Sequence, residues 1–112
     1  MATTMKSLRI KTGSCKRLLK ELQAYEKEVE RESAKTSKMK DNGADPYDLK
    51  QQENVLAESK MMIPDCTRRL EAALGDLQAI LAEVEAESAQ GSEEIEEAKK
   101  LVVEVEASID RK

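Results

Sequence analysis

Apolar residues recur along the first part of this chain in alternating steps of three and four, through Leu8, Cys15, Leu18, Leu22, Tyr25, Val29 and Met39. Lys11, Glu32 and Thr36 complete the same register, so the pattern predicts a heptad helix whose seam turns polar toward its end. Gly13 falls inside that helix at a cost of about 1 kcal/mol relative to Ala. The pattern stops at Asp41-Asn42-Gly43-Ala44, where Gly43 can take the left-handed geometry that closes a helix and Lys38 and Lys40 oppose the carbonyl end of the dipole. A helix restarts at once: Asp45 suits the N-cap, Pro46 the first helical position and Asp48 the first turn. So short a loop makes the two helices antiparallel neighbours.

The second seam is stricter, running Leu49, Gln52, Leu56, Ser59, Ile63, Cys66, Leu70, Ala73, Leu77, Ile80 and Val84. Roughly 40 residues at about 1.5 Å each would reach about 60 Å, which predicts an elongated molecule. Gly91 and Ser92 end this helix and cap a third, with Glu93 and Glu94 in its first turn and Ile95, Ala98, Val102, Val105 and Ile109 on its seam. The expected fold is all-α: an elongated antiparallel three-helix bundle, spectrin-like in its left-handed coiled-coil packing, with two long helices and a shorter third. As a single domain over 1–112, it would have helices over about 5–40, 46–89 and 92–110 and a loop over 41–45.

Folding the third helix back places it beside one end of the long hairpin only. After Pro64 the extra apolar residues of helix 2 (Leu74, Leu81) fall on one flank of its seam, and before it (Val55, Met62) they fall on the other. Pro64 removes one helical N–H and crowds the carbonyl of Lys60, costing about 3 kcal/mol if unrelieved, so a bend is expected there.

Composition narrows the picture. Among 112 residues 38% are charged and only Tyr25 and Tyr47 are aromatic, which leaves too little material for a thick core or a sheet and suits packed helices. A net charge of −4 argues against general attraction to nucleic acid or acidic lipid. Local charge is uneven: Lys6, Arg9, Lys11, Lys16, Arg17 and Lys20 lie in a stretch without acids, whereas Glu83 to Glu106 is dense in glutamate and offers only Lys99 and Lys100. Mutual attraction between these stretches is the simplest reading, and a basic docking face is the sharper one. Cys15 and Cys66, with no signal-like or membrane-length apolar run, suit buried thiols in a reducing cytosolic compartment.

Chemistry is scarce. The chain has no histidine, two cysteines make no zinc pattern, and Lys11-Thr12-Gly13-Ser14 lacks the glycine spacing of a phosphate loop. The carboxylates lie on solvated helix faces rather than in a cleft that shifts their pKa values, so neither an enzyme nor a cofactor is expected. What stands out is apolar surface that a hairpin does not need. Met61 lies opposite the seam, and Met62 with Val55 lies on the flank away from helix 3, within a rim of Glu58, Lys60, Pro64, Asp65, Arg68 and Arg69. Methionines make adaptable contact surfaces and arginines are enriched at interfaces, although single exposed apolar residues are common. Gln52 and Ser59 opposite Glu32 and Thr36 also predict a looser arm, able to adjust to a partner.

Several stretches resemble the tubulin-binding cofactor A family: Arg9-Ile10-Lys11-Thr12-Gly13, Lys16-Arg17-Leu18, Tyr25-Glu26-Lys27-Glu28 and Tyr47-Asp48-Leu49-Lys50. The most specific is Glu58-Ser59-Lys60-Met61-Met62-Ile63-Pro64-Asp65-Cys66, continuing through Arg68-Arg69-Leu70-Glu71-Ala72-Ala73. The resemblance is strongest over helices 1 and 2, rests on spacing in helix 3, departs at Gly75, and looks most like a plant member. It implies a cytoplasmic, cytoskeleton-associated three-helix chaperone that takes β-tubulin from the chaperonin and keeps it available for α-tubulin. Other tubulin-folding cofactors would be further partners, and no nucleotide, nucleic acid or membrane is implied. Physical reasoning puts Met61, Met62, Arg68 and Arg69 at the centre of the contact, with Val55, Glu58, Tyr25 and Tyr47 around it and Pro64 as the bend. The alternative is a structural coiled-coil scaffold or dimerisation module. A hairpin that consumes its own seam should be monomeric, whereas a scaffold should dimerise.

Overall fold

The computed structural model describes residues 2–87 and 92–110. They form α1 (Ala2–Asp41), α2 (Pro46–Glu87) and α3 (Glu93–Asp110), with no strand among the described residues. Gly91, expected to end α2, lies outside them. Local chemistry sets the ends. Gly43 has φ 67°, its N–H donates to the Lys40 carbonyl at 3.2 Å, and the Ala44 N–H donates to the Met39 carbonyl at 3.0 Å. That pair of bonds is a Schellman motif, and it satisfies carbonyls that the end of α1 would otherwise leave bare. Four residues on, Asp45 caps α2: its carboxylate accepts from the Tyr47 N–H at 3.1 Å and its carbonyl from the Leu49 N–H at 2.9 Å. Ser92 caps α3 in the same way, its hydroxyl accepting from the Ile95 N–H at 3.2 Å. α2 runs without interruption through Pro64.

The chain divides into two compact units, Met1–Lys20 with Thr67–Lys112, and Glu21–Cys66. The first draws on all three helices. Leu8, Cys15 and Leu19 from α1 are buried with Leu70, Leu77, Leu81 and Val84 from α2 and with Ile95, Ala98, Leu101 and Val105 from α3. The α3 stripe differs from the single seam expected: Leu101 and Ser108 are buried, while Val102 and Ile109 are half-buried. A helix lying against two others buries a wider stripe, and here it reaches one position to the N-terminal side of the seam.

Charge closes this unit. Arg9 pairs with Glu94, Lys16 with Glu97, Lys11 with Asp76 at 3.7 Å and Lys99 with Glu85 at 3.0 Å. The segregation of charge along the sequence thus resolves into attraction between helices. Hydrogen bonding and the nearby carboxylate raise the Arg9 pKa, and Lys16 likewise lowers that of Glu97.

The second unit is made from the later part of α1 and the earlier part of α2. Its buried apolar residues are Leu22 and Cys66, and three further buried positions are polar: Thr36, Gln52 and Ser59. Gln52 Nε2 donates to the Glu32 carboxylate at 2.6 Å, and the Thr36 hydroxyl donates to the Glu32 carbonyl at 2.7 Å. Tyr25, Val29, Met39, Leu49, Leu56 and Ile63 are only half-buried. A fully buried leucine contributes about 1.5–3 kcal/mol. The first unit buries Leu8, Leu70 and Leu77 fully and Leu19, Leu81 and Leu101 nearly so, and of its leucines the second buries only Leu22, so apolar burial stabilises the second unit far less.

Candidate interaction surface

The weakly packed second unit carries the apolar surface that its own helices leave uncovered. On α2, Val55 and Met62 sit one heptad apart and are both exposed, with Glu58 between them on the same side. Tyr25 and Glu28, one turn apart on α1, face them. Together with Ser59 these residues line a shallow groove of about 330 Å³. Its floor is partly polar because Ser59 takes a seam position, and its walls are a phenol, a thioether and a branched aliphatic chain between two carboxylates. Such a groove can take an apolar side chain while its rim holds donors.

Of the residues singled out in the sequence, Val55, Glu58, Tyr25 and Met62 share this groove. Met61 does not line it. It is 72% exposed on the outward side of α2, where only a partner extending past the groove could cover it. Tyr47 is 69% exposed near the start of α2, its hydroxyl accepting from Gln51 Nε2 at 2.8 Å, and lies outside the groove lining. Arg68 and Arg69 are exposed and belong to the other unit. Two lining residues, Glu28 and Ser59, are not among the contact residues expected from the sequence. Helical spacing from Tyr25 is the signal that finds Glu28. Ser59 shows as a polar seam position, but its neighbours across the hairpin require the register between two helices.

A second depression, within the first unit, is lined by Leu8, Arg9, Thr12, Gly13, Lys16, Glu94 and Glu97. Its cations are already engaged by its carboxylates. Burial pushes the Cys15 thiol pKa up, which keeps it protonated and unreactive. Among the described residues no group of His, Cys, Asp or Glu could hold a metal ion, and no helix is long and apolar enough to cross a membrane.

Comparison with known proteins decides the family. The family model for tubulin binding cofactor A matches residues 3–102. The chain belongs to the tubulin binding cofactor A family. It is 65% identical over 103 residues to tubulin-folding cofactor A of Arabidopsis thaliana, covering 92% of this chain and 91% of that protein. The crystal structure of tubulin-folding cofactor A from Arabidopsis thaliana superposes with a TM-score of 0.91 at 64% identity, covering 96% of this chain and 99% of that one. A structure described as a β-tubulin binding post-chaperonin cofactor superposes with a TM-score of 0.79 at 32% identity, covering 92% of this chain and 97% of that one. The match to the cofactor A family therefore takes in α1, α2 and about half of α3, including every residue of the groove.

Proposed function

We propose that this chain is a β-tubulin folding cofactor, which holds β-tubulin after the chaperonin and before it joins α-tubulin, and does so through the groove of its second unit. The observation that carries the reading is the exposed Val55–Met62 surface opposite Tyr25, in a member of the cofactor A family. Methionine and tyrosine make large contacts that adapt to an incompletely folded surface. The sparse burial of this unit lets its helices adjust as they bind. Met61 and Tyr47 widen the apolar face around the groove, and Glu58 supplies a rim acceptor. Arg68 and Arg69 are further contacts to the same partner. Pro64, lacking the N–H that would bond to the Lys60 carbonyl, is where α2 bends to fit.

The activity is binding, not catalysis, and its setting is the cytoplasm at the cytoskeleton, with other tubulin-folding cofactors as neighbouring partners. Seam residues such as Leu22, Cys66, Leu70 and Leu77 are consumed within the chain, so it works as a monomer. The test is capture of β-tubulin, detected by antibody, from a cytosolic extract by wild type and by a Met61→Glu/Met62→Glu variant whose helicity matches wild type. Capture by wild type and its loss in the variant is expected. Equal capture would move the contact elsewhere on the chain, and no capture by wild type would overturn the reading.

A further inference from the structure

The outward face of α1 in the first unit separates two kinds of cation. Arg9, Lys11 and Lys16 point toward the neighbouring helices and are paired with Glu94, Asp76 and Glu97. Lys6, Arg17 and Lys20 are exposed, and no ion pair engages them among the described residues. With Leu8, Cys15 and Leu22 on the seam, Lys6, Gly13 and Lys20 fall opposite it, with Ile10 and Arg17 alongside. Ile10 is 55% exposed, an apolar side chain set among these cations, of which Arg17 donates to the Ser14 hydroxyl at 3.4 Å. Gly13 interrupts this face at a position the fold does not reserve for glycine: an added Cβ would meet only the tip of Arg17, at 3.9 Å, and its φ is helical. Gly13 is half-buried at the edge of the depression it lines, yet among the described residues only that Arg17 tip lies within 4 Å of an added Cβ, so the space there would admit alanine although glycine weakens the helix.

We propose that this face docks an acidic protein segment that carries an apolar residue. Lys6, Arg17 and Lys20 meet its carboxylates, Ile10 meets the apolar side chain, and Gly13 lets its backbone approach closely. A nucleic acid fits less well, because Ile10 has no counterpart on a phosphate backbone. This inference is independent of the β-tubulin reading and uses none of the groove residues.

The test is fluorescence anisotropy with a short fluorescein-labelled peptide of Glu with Leu at helical spacing, at low ionic strength. Binding by wild type should weaken about tenfold in a Lys6→Glu/Arg17→Glu/Lys20→Glu variant, three exposed pairs together being worth about that factor. Ile10→Ser should weaken it about threefold, and Gly13→Ala should raise the thermal midpoint while weakening binding. A Lys27→Glu/Arg31→Glu control, on the second unit, should bind as wild type does. Three results would each overturn the proposal: no binding by wild type, equal binding by the triple variant, or tighter binding of a single-stranded RNA of matched charge. So would an Ile10→Ser variant that binds the peptide as wild type does.

Discussion

Gln52 Nε2 lies 2.6 Å from a carboxylate oxygen of Glu32, a charge-assisted bond between two seam positions of the second unit. Gln52 is buried and Glu32 half-buried, so removing Glu32 strands the amide, and removing Gln52 costs the carboxylate a donor that water replaces only in part. Gln52→Ala should lower stability by about 2 kcal/mol. Combined with Glu32→Ala, the loss should fall short of the sum by at least about 1 kcal/mol. Urea unfolding of the two single variants and the double variant measures this, and strict additivity would mean that the bond contributes nothing.

The Lys16–Glu97 pair gives stability a dependence on pH with a definite sign. Lys16 holds the folded-state pKa of Glu97 below its ordinary value. The contribution is therefore complete above the unfolded value of about 4.3 and is lost as pH falls through the lower folded value. Lys99 behaves oppositely. Glu85 raises its pKa, so that pair is complete below about 10.4 and is lost as pH rises through the higher folded value. Thermal midpoints of wild type and Lys16→Gln should converge in acid and separate near neutrality, with the gap shrinking in high salt. A gap unchanged between acid and neutral pH would show that the pair is incidental.

Two glycines should respond in opposite directions to the same substitution. Gly43 has a left-handed backbone, so Gly43→Ala should lower stability by about 1 kcal/mol. Gly75 is helical and an added Cβ would meet nothing within 4 Å, so Gly75→Ala should raise it by about 1 kcal/mol. Thermal denaturation of the pair checks both signs. A stabilising Gly43→Ala would contradict the Schellman geometry at the end of α1.

Thr67 offers a third site for stabilisation. Its hydroxyl oxygen is buried and has no hydrogen-bond partner among the described residues. Valine has the same shape and a similar helix propensity, so Thr67→Val should raise stability by about 1 kcal/mol by removing an unsatisfied polar atom. A loss of stability on urea unfolding would mean that the hydroxyl is solvated.

What could be read from the sequence alone follows from how local the determining chemistry is. The turn at Gly43 and Asp45 was legible because its bonds join residues at most five apart. The heptad seams of α1 and α2 were legible because Leu8, Cys15, Leu22, Cys66, Leu70 and Leu77 recur on one face of each helix. On α3, Leu101 and Ser108 were missed because a single seam cannot show that a helix has two neighbours. Attraction between the basic and acidic stretches was visible as charge, but the choice of Glu94 for Arg9 and Glu97 for Lys16 depends on where α3 docks. At the surface, the exposure of Met61 and Met62 followed from their heptad positions. Only the packing of α1 on α2 shows that Met62 shares a groove with Tyr25 and Glu28 while Met61 does not.

That difference between adjacent methionines yields the sharpest test of the proposed β-tubulin contact. A partner side chain seated between Tyr25 and Val55 touches Met62, whereas Met61, on the outward side of α2, is covered only if the partner extends beyond the groove. Interface energy concentrates in enclosed, desolvated positions and thins toward an exposed rim. Met62→Glu should therefore weaken β-tubulin capture about tenfold or more, and Met61→Glu by no more than about threefold. Capture measured over a series of cofactor concentrations for the two single variants separates these outcomes. The larger loss at Met61 would place the contact on the outward face of α2 and leave the groove as a packing gap between two loosely joined helices.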